Sequence, residues 1–376
     1  MATAVAPKCF REAIDDPDPR RAVRRIVDAV GTDTPALTVL FVDARYDLEG
    51  LAVELRRQLH GPVLACTTAG HQVAGSGLID HGMVAAALAT DQLTVRIAPI
   101  HGVTQFGVAQ AQEVATRLAL DAPPRGGPGT RFGVVLIDGM SFAEERVMAL
   151  LFGASNGLPM VGGSAGDGER FQKTYVFDGE RFVSDAAVLA RVDTTLPCRL
   201  FGFQNFTPLE GRLVVTGAVT AKRQILELNG RPARHAYCDA IGSQDLDSSI
   251  VSHHPLLLRW DGRYYARAIR AWDDDRLDLF CAIEEGMVVR IGRGTDLAGT
   301  IEQQYGELRA ELGGGEPLLM VAFHCYQRRL EIERSQQQER YRLAVAQHPL
   351  IGFCTYGEQY NGLHMNQTAT GFILGT

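Results

Sequence analysis

Short continuous apolar runs alternate with amphipathic stretches through the first half of the chain, and this alternation most limits the fold. Ala36-Leu-Thr-Val-Leu-Phe-Val42 reads as a strand buried on both faces, and Leu48 to Leu59 as an amphipathic helix. Pro62 to Cys66 is the next buried strand, running into the small-residue turn Thr67-Thr-Ala-Gly70. Met83 to Leu88 and Leu93 to Ile100 read as an antiparallel pair, and Gln105 to Leu120 as a helix. The strand Arg131 to Ile137, the helix Phe142 to Phe152 and the strand Pro159 to Gly163 continue the alternation. Tyr175 to Phe177 and Ala186 to Val192 read as a hairpin around Asp178-Gly179. Strands alternating with helices, interrupted by hairpins, predict an α/β fold of the mixed α+β kind, with mixed sheets flanked by helices.

The pattern loosens between Thr194 and Pro208, where Leu196-Pro197 and Thr207-Pro208 act as punctuation. A chain of 376 residues is too long for one ordinary core. The expected organisation is an N-terminal extension over 1–24, a first domain over 25–200 and a second over 201–376. In the second, a strand Leu213 to Val219, a turn at Asn229-Gly230 and a helix Ala233 to Ile241 precede a meander of Arg263 to Ile269, Arg276 to Cys281 and Met287 to Ile291. Leu297 to Leu312 is helical, Pro317 to Phe323 is a buried strand, and Arg328 to Leu343 reads as one long charged helix. Pro349 to Thr355 and Thr370 to Leu374 close the fold as strands. No short internal repeat is visible.

The formal net charge of −7 argues against nucleic acid as a partner, because an acidic chain gains little from phosphate backbones. Arg20, Arg21, Arg24 and Arg25 fit the solvated face of a first helix. The N-terminus lacks a basic segment followed by an apolar one, and no apolar run spans a bilayer, so neither a signal peptide nor a membrane partner is expected. Seven cysteines scattered singly fit free buried thiols in a reducing, cytoplasmic setting.

Several segments carry a family resemblance. Pro159-Met-Val-Gly-Gly-Ser-Ala-Gly-Asp167 with Val176-Phe-Asp-Gly179, and the earlier Ala65-Cys-Thr-Thr-Ala-Gly70, resemble the N-terminal FIST domain. Phe323-His-Cys325 with Arg328, Cys281 to Gly286, Gly352 to Gln359 and His364-Met-Asn-Gln-Thr368 resemble the C-terminal FIST domain. The closing block is similar to that of bacterial nitric-oxide-sensing FIST haemoproteins. That resemblance implies haem b as cofactor and nitric oxide as ligand. The implied signalling partner is a sensor histidine kinase or a cyclic-di-GMP enzyme, either diguanylate cyclase or phosphodiesterase. The branch usually has an acid just before the cysteine at position 325; here that residue is His324, which adds a possible iron ligand.

The residues support two kinds of site. Thr67, Thr68, Gly162, Gly163, Ser164 and Asp167 form two small-residue turns whose backbone N–H groups can cradle a carboxylate or phosphate, although such turns also serve packing alone. Neither a Gly-Lys-Ser/Thr sequence nor the dinucleotide glycine spacing is present. Haem iron needs an axial side chain with a lone pair. The candidate ligand is His364, alternatively His254 beside the apolar Pro255 to Leu258, or His324. His364 sits in a polar block with Tyr356, Glu358, Gln359 and Asn366, flanked by apolar strands, which is an unusual setting because buried polar groups must find partners. Arg328 matches the family position and suits a propionate. Cys325 and His324 are strand neighbours pointing to opposite faces and cannot form a nucleophile–base pair, so no enzyme is expected. The two readings are a haem-based nitric oxide sensor and a sensor of a small carboxylate such as an amino acid. No kinase, cyclase or DNA-binding segment is visible, so output is expected through a separate partner.

Overall fold

The structure, a computed structural model, describes residues 6–73, 76–120, 129–260 and 262–376. The fold is mixed α+β and, among the described residues, holds three six-stranded sheets and one nine-stranded sheet.

The three smaller sheets repeat one plan. Each contains a parallel strand pair joined through helix. In the first sheet the pair is Leu37–Asp43 and Val63–Thr68, joined by Leu48–Gln58. In the second it is Thr130–Ile137 and Met160–Ser164, joined by Glu144–Ala154. In the third it is Pro317–Cys325 and Leu350–Thr355, joined by Tyr326–Arg334 and Gln338–Ala346. A long strand lies antiparallel on the first member of each pair: Met83–Ala89, Ala186–Thr194 and Thr368–Gly375 respectively. A short hairpin adds to the second member, and that hairpin always comes from another module. His71–Val73 with Gly77–Ile79, following the first pair, joins the third sheet. Glu358–Tyr360 with Leu363–Met365, following the third pair, joins the second sheet. Val176–Phe177 with Phe182–Val183, following the second pair, joins the first sheet. The repeat invisible in the residues is thus present in the topology, and the modules exchange hairpins in a closed ring.

The packing follows from the sequence pattern. The central strands are apolar on both faces because both faces are covered. Their inner faces meet in one core in which Phe41 lies 4.5 Å from Phe353 and Phe132 lies 5.2 Å from Phe372, ring centre to ring centre. Each outer face is covered by helices: Pro19–Val30 and Leu48–Gln58 on the first sheet, Val108–Leu118 and Glu144–Ala154 on the second, Leu297–Ala310 and Gln338–Ala346 on the third. Asp18 and Asp47 cap the first two of these helices by accepting from Arg20 and Gly50 backbone N–H groups.

The nine-stranded sheet, with helices Ala233–Ile241 and Ser248–His253, forms a lobe inserted between the third sheet's strand Cys198–Gln204 and the helix Leu297–Ala310. It has its own core around Tyr237, Leu256 and Leu279.

Four local expectations change. Met83–Ala89 and Leu93–His101 are not partners; the first pairs with Lys8–Ile14 and Leu37–Asp43, the second with Ala186–Thr194. The hairpin at Asp178 closes on Phe182–Val183, while Ala186–Thr194 belongs to the second sheet. The expected meander is split, because Val288–Gly294 pairs with Leu256–Trp260 and Leu213–Val219 instead. The long charged helix breaks into Tyr326–Arg334 and Gln338–Ala346, with Gln336 between them at a φ of 55°. In each hairpin case nearness in sequence lost to long-range pairing. Lys8–Ile14 and Pro19–Val30, within the expected N-terminal extension and just beyond it, are integral to the first sheet. The expected border near residue 200 falls where the chain crosses from the second sheet to the third.

Candidate functional site

The three parallel pairs end in equivalent turns: Thr68-Ala69-Gly70, Ser164-Ala165-Gly166 and Thr355-Tyr356-Gly357. The turns are hydrogen-bonded to one another. Ala69 N–H donates to the Cys354 carbonyl (3.0 Å), Gly166 N–H to Thr67 (3.0 Å), and Tyr356 N–H to Ser164 (3.3 Å). Each module therefore ties its neighbour at the point where the three sheets converge.

The N–H groups of these turns are consumed by the protein. Gly70 N–H donates to the Thr68 hydroxyl, Ala165 N–H to Ile137, Gly168 N–H to Thr68, and Asp167 N–H to the Tyr356 hydroxyl. Gly162 and Gly163 lie inside a strand and not in a turn; a Cβ on Gly162 would sit 2.0 Å from the Val135 carbonyl oxygen, and one on Gly163 would sit 2.6 Å from the Thr355 methyl. The anion cradle expected of Thr67, Thr68, Gly162, Gly163, Ser164 and Asp167 is accordingly replaced by close sheet packing and a turn-to-turn staple. Thr67 fixes the neighbouring hairpin by accepting from Tyr175 N–H (3.0 Å), and Thr68 holds His71 (3.1 Å). Asp167 accepts from Gln172 and Lys173 N–H and from the Tyr356 hydroxyl. Burial opposes its ionisation, but those hydrogen bonds outweigh burial and hold the carboxyl below its usual range.

Above the turns, where the inserted lobe meets the three-sheet body, lies a cavity of about 350 Å³. Met140 and Phe142 reach it from the loop after Thr130–Ile137, Phe171 from the loop after the second turn, and Tyr356 from the third turn. Arg223, Arg270 and Phe280 come from the lobe. Two aromatic wall residues hold left-handed backbone, Phe142 at φ 54° and Phe171 at φ 49°. For bulky non-glycine residues this is costly local geometry of the kind that clusters at ligand sites. Phe171 stacks on Tyr356 with 4.4 Å between ring centres, and the Arg223 guanidinium lies 4.8 Å from the Phe142 ring centre.

Beneath the aromatic walls the floor is charged. Arg223 donates to Glu144 (2.9 Å) and Glu145 (2.6 Å), all largely buried. Two carboxylates share one guanidinium, and burial drives the Glu144 carboxyl up. Burial works against Glu145 as well, but the His364 ring and Arg223 outweigh it and keep Glu145 the ionised member. His364 is buried directly behind. A Gln359 amide nitrogen lies 3.2 Å from its Nδ1 and also donates to Ser164 (2.9 Å), while Arg267 donates to its carbonyl (2.7 Å). Burial, then Arg223 and Arg267, depress the His364 pKa to about 4, against the opposing pull of Glu145. Gly357 is required here, since a Cβ would meet the His364 ring at 2.1 Å. Asn366 accepts from the Cys281 thiol (2.6 Å).

The FIST N domain family matches residues 36–231 and the FIST C domain family matches residues 233–361. The chain belongs to the FIST family. A comparison with curated proteins gives no match. Among solved structures, that of PurLQS from Thermotoga maritima is 11% identical over 98% of this chain and 72% of that one, at a TM-score of 0.19, which carries no argument. FIST domains are sensory domains that bind small ligands. Among the described residues, no helix is long and apolar enough to cross a membrane.

Within this FIST protein the expected site residues separate. Tyr356, Gln359, His364, Asn366 and Ser164 converge beneath the cavity. Glu358 is a neighbour facing elsewhere: it accepts from the Thr355 and Thr368 hydroxyls, and burial raises its pKa to about 7. His324 and Arg328 lie on the outer face of the third sheet, where Arg328 donates to His324 Nε2 (3.1 Å) and to Asn205 (3.3 Å). Arg328 is fully buried there. His254 belongs to the lobe, where its Nδ1 turns back to the Ile250 carbonyl (3.1 Å) and Leu256 and Leu257 pack in the lobe itself. None of the three candidate histidines lines the cavity, and each has a ring nitrogen engaged. As placed, these residues present no histidine on the cavity wall, so a haem held there would require His364 to be freed from its present neighbours.

Sequence reasoning missed Phe142, Glu144, Glu145, Phe171, Arg223 and Cys281 as site residues. The adjacent acids Glu144 and Glu145 open a helix, where carboxylates are favoured for local reasons, so their role was masked.

Proposed function

We propose that this FIST protein senses a small zwitterion, an amino acid with an apolar side chain, in the cavity at the junction of the lobe and the three-sheet body. The observation that carries the reading is the pairing of aromatic walls with opposite charges in one pocket. Phe142, Phe171 and Phe280 supply apolar surface. Arg270 is held only loosely, 3.9 Å from Asp278, so its fork is available to a ligand carboxylate. Glu144, which shares the Arg223 guanidinium with the ionised Glu145, reaches the cavity wall, where a ligand ammonium group draws its carboxyl into the ionised form. Ligand contact with residues from both the body and the lobe biases their relative placement, which is the means by which a bound molecule shifts a two-state surface. Output then passes to a separate signalling enzyme, a histidine kinase or a cyclic-di-GMP enzyme.

Calorimetric titration with a panel of amino acids tests the reading. Saturable binding of an apolar member is expected, weakened about tenfold or more in Arg270→Ala, the loss of one charge-assisted contact. Binding unchanged by Arg270→Ala contradicts the assignment.

Haem b with nitric oxide as ligand is the second reading, resting on His364 as the histidine nearest the cavity floor. It requires Glu145 and Arg223 to leave the ring. A stoichiometric Soret band that shifts with nitric oxide and is lost in His364→Ala, while His254→Ala retains it, supports that reading; a band like that of free haemin removes it.

A further inference from the structure

Behind the cavity floor, Glu145, Cys281 and His364 bring a carboxylate oxygen, a thiol sulfur and an imidazole nitrogen within 4.8 Å of one another. They come from three distant parts of the chain: the helix Glu144–Ala154, the loop after the lobe strand Leu277–Leu279, and the hairpin strand Leu363–Met365. Cys281 and His364 are fully buried or nearly so. We propose that these three side chains form a site for a single borderline-soft divalent transition ion of the zinc type.

One nitrogen, one sulfur and one carboxylate oxygen match the ligands such ions take, and three protein ligands leave a fourth position for water or another small ligand. The groups around these donors suit an ion as well. Ligating imidazoles are ordinarily held through their other nitrogen, and Gln359 already sits 3.2 Å from His364 Nδ1 with its own Oε1 buried and unpartnered. Turning that amide over lets Oε1 accept from Nδ1–H and frees the Nε2 lone pair for the ion. Gly357 leaves room beside Nε2. Asn366 holds the Cys281 sulfur, and its amide turned over donates to the thiolate formed when the ion displaces the thiol proton to solvent. Arg267 reinforces that thiolate, and Arg223 fixes the Glu145 carboxylate.

The charge balance is compatible. A bound divalent ion draws Glu144 into its ionised form, so Glu144, Glu145 and a Cys281 thiolate then supply three negative charges against Arg223 and Arg267, and the ion leaves the cluster with a single positive charge. Without the ion the thiol stays protonated on Asn366, and the cluster is an ordinary hydrogen-bonded core. The inference does not rest on the amino-acid reading, since none of its ligands lines the cavity.

Cobalt(II) titration of the full chain, after treatment with a chelator, separates the two states. The expected result is one equivalent of ion bound, with a thiolate-to-cobalt charge-transfer band and the visible bands of a four-coordinate centre, displaced by zinc. Cys281→Ser should lose the charge-transfer band, and His364→Gln should weaken binding at least about tenfold. The wild-type titration stands even where a variant folds poorly. Absence of a saturable band in the wild type, or a band that survives Cys281→Ser, overturns the proposal.

Discussion

Glu358 shows what burial costs at a single residue. It is completely enclosed and bonded by Thr355 and Thr368, yet its pKa rises to about 7 because burial outweighs those hydrogen bonds. A carboxyl whose folded pKa lies above its unfolded value contributes stability that is complete below the unfolded pKa and lost as pH rises through the folded one. For Glu358 that window runs from the ordinary glutamate range up to about 7, and the loss is roughly 3 kcal/mol. Glu358→Gln should flatten the pH dependence of denaturant midpoints across that window; an unchanged slope would show that Glu358 does not carry it. His71 and His364, both depressed to about 4 by burial, act in the opposite sense and lose stability as pH falls toward 4. At this scale the sequence was informative about the polar block. His364, Gln359 and Asn366 stand among apolar strands, and such residues must be satisfied in a core. Arg223 and Glu145 gave no such signal, because their meaning lies in a pairing across 78 positions.

At the scale of elements, the apolar periodicity located most long strands and helices, since a strand buried on both faces leaves a plain run, but it missed the partly exposed strands Lys8–Ile14 and Cys198–Gln204, the second within the stretch read as punctuation. Pairing was not legible. The hairpins His71–Val73 with Gly77–Ile79, and Glu358–Tyr360 with Leu363–Met365, are too short to advertise their destination, and each joins a sheet built mostly from distant residues. The glycines were legible as special but not as to purpose. Gly162 sits in a strand with the Val135 carbonyl where a side chain would go. Gly162→Ala should destabilise the protein by about 1–3 kcal/mol through forced separation of the parallel pair. Chemical denaturation measures this, and a loss below about 0.5 kcal/mol would mean the strands part freely. Gly306→Ala, inside the helix Leu297–Ala310 where nothing lies within 4 Å of the added carbon, is the control and should not destabilise.

At the scale of the molecule, the cyclic exchange of hairpins makes the FIST N and FIST C regions mutually dependent. Residues 36–231 alone would keep His71–Val73 without the third sheet it completes, and would leave Met160–Ser164 as an open edge. A fragment ending at residue 231 should aggregate or lack a cooperative transition by circular dichroism, while the full chain unfolds cooperatively; a monomeric, cooperative fragment would refute the dependence. The same architecture explains where the cavity lies. Three modules converge on stapled turns, the lobe closes over them, and strained aromatic residues line the seam. Ligand sensing is proposed at that seam. Isothermal titration of the purified chain with apolar amino acids, repeated on Phe171→Ala, decides it. One saturable site is expected in the wild type, weakened about tenfold or more when the stacked ring is removed. No binding from any member of the panel, or an affinity indifferent to Phe171, would contradict it.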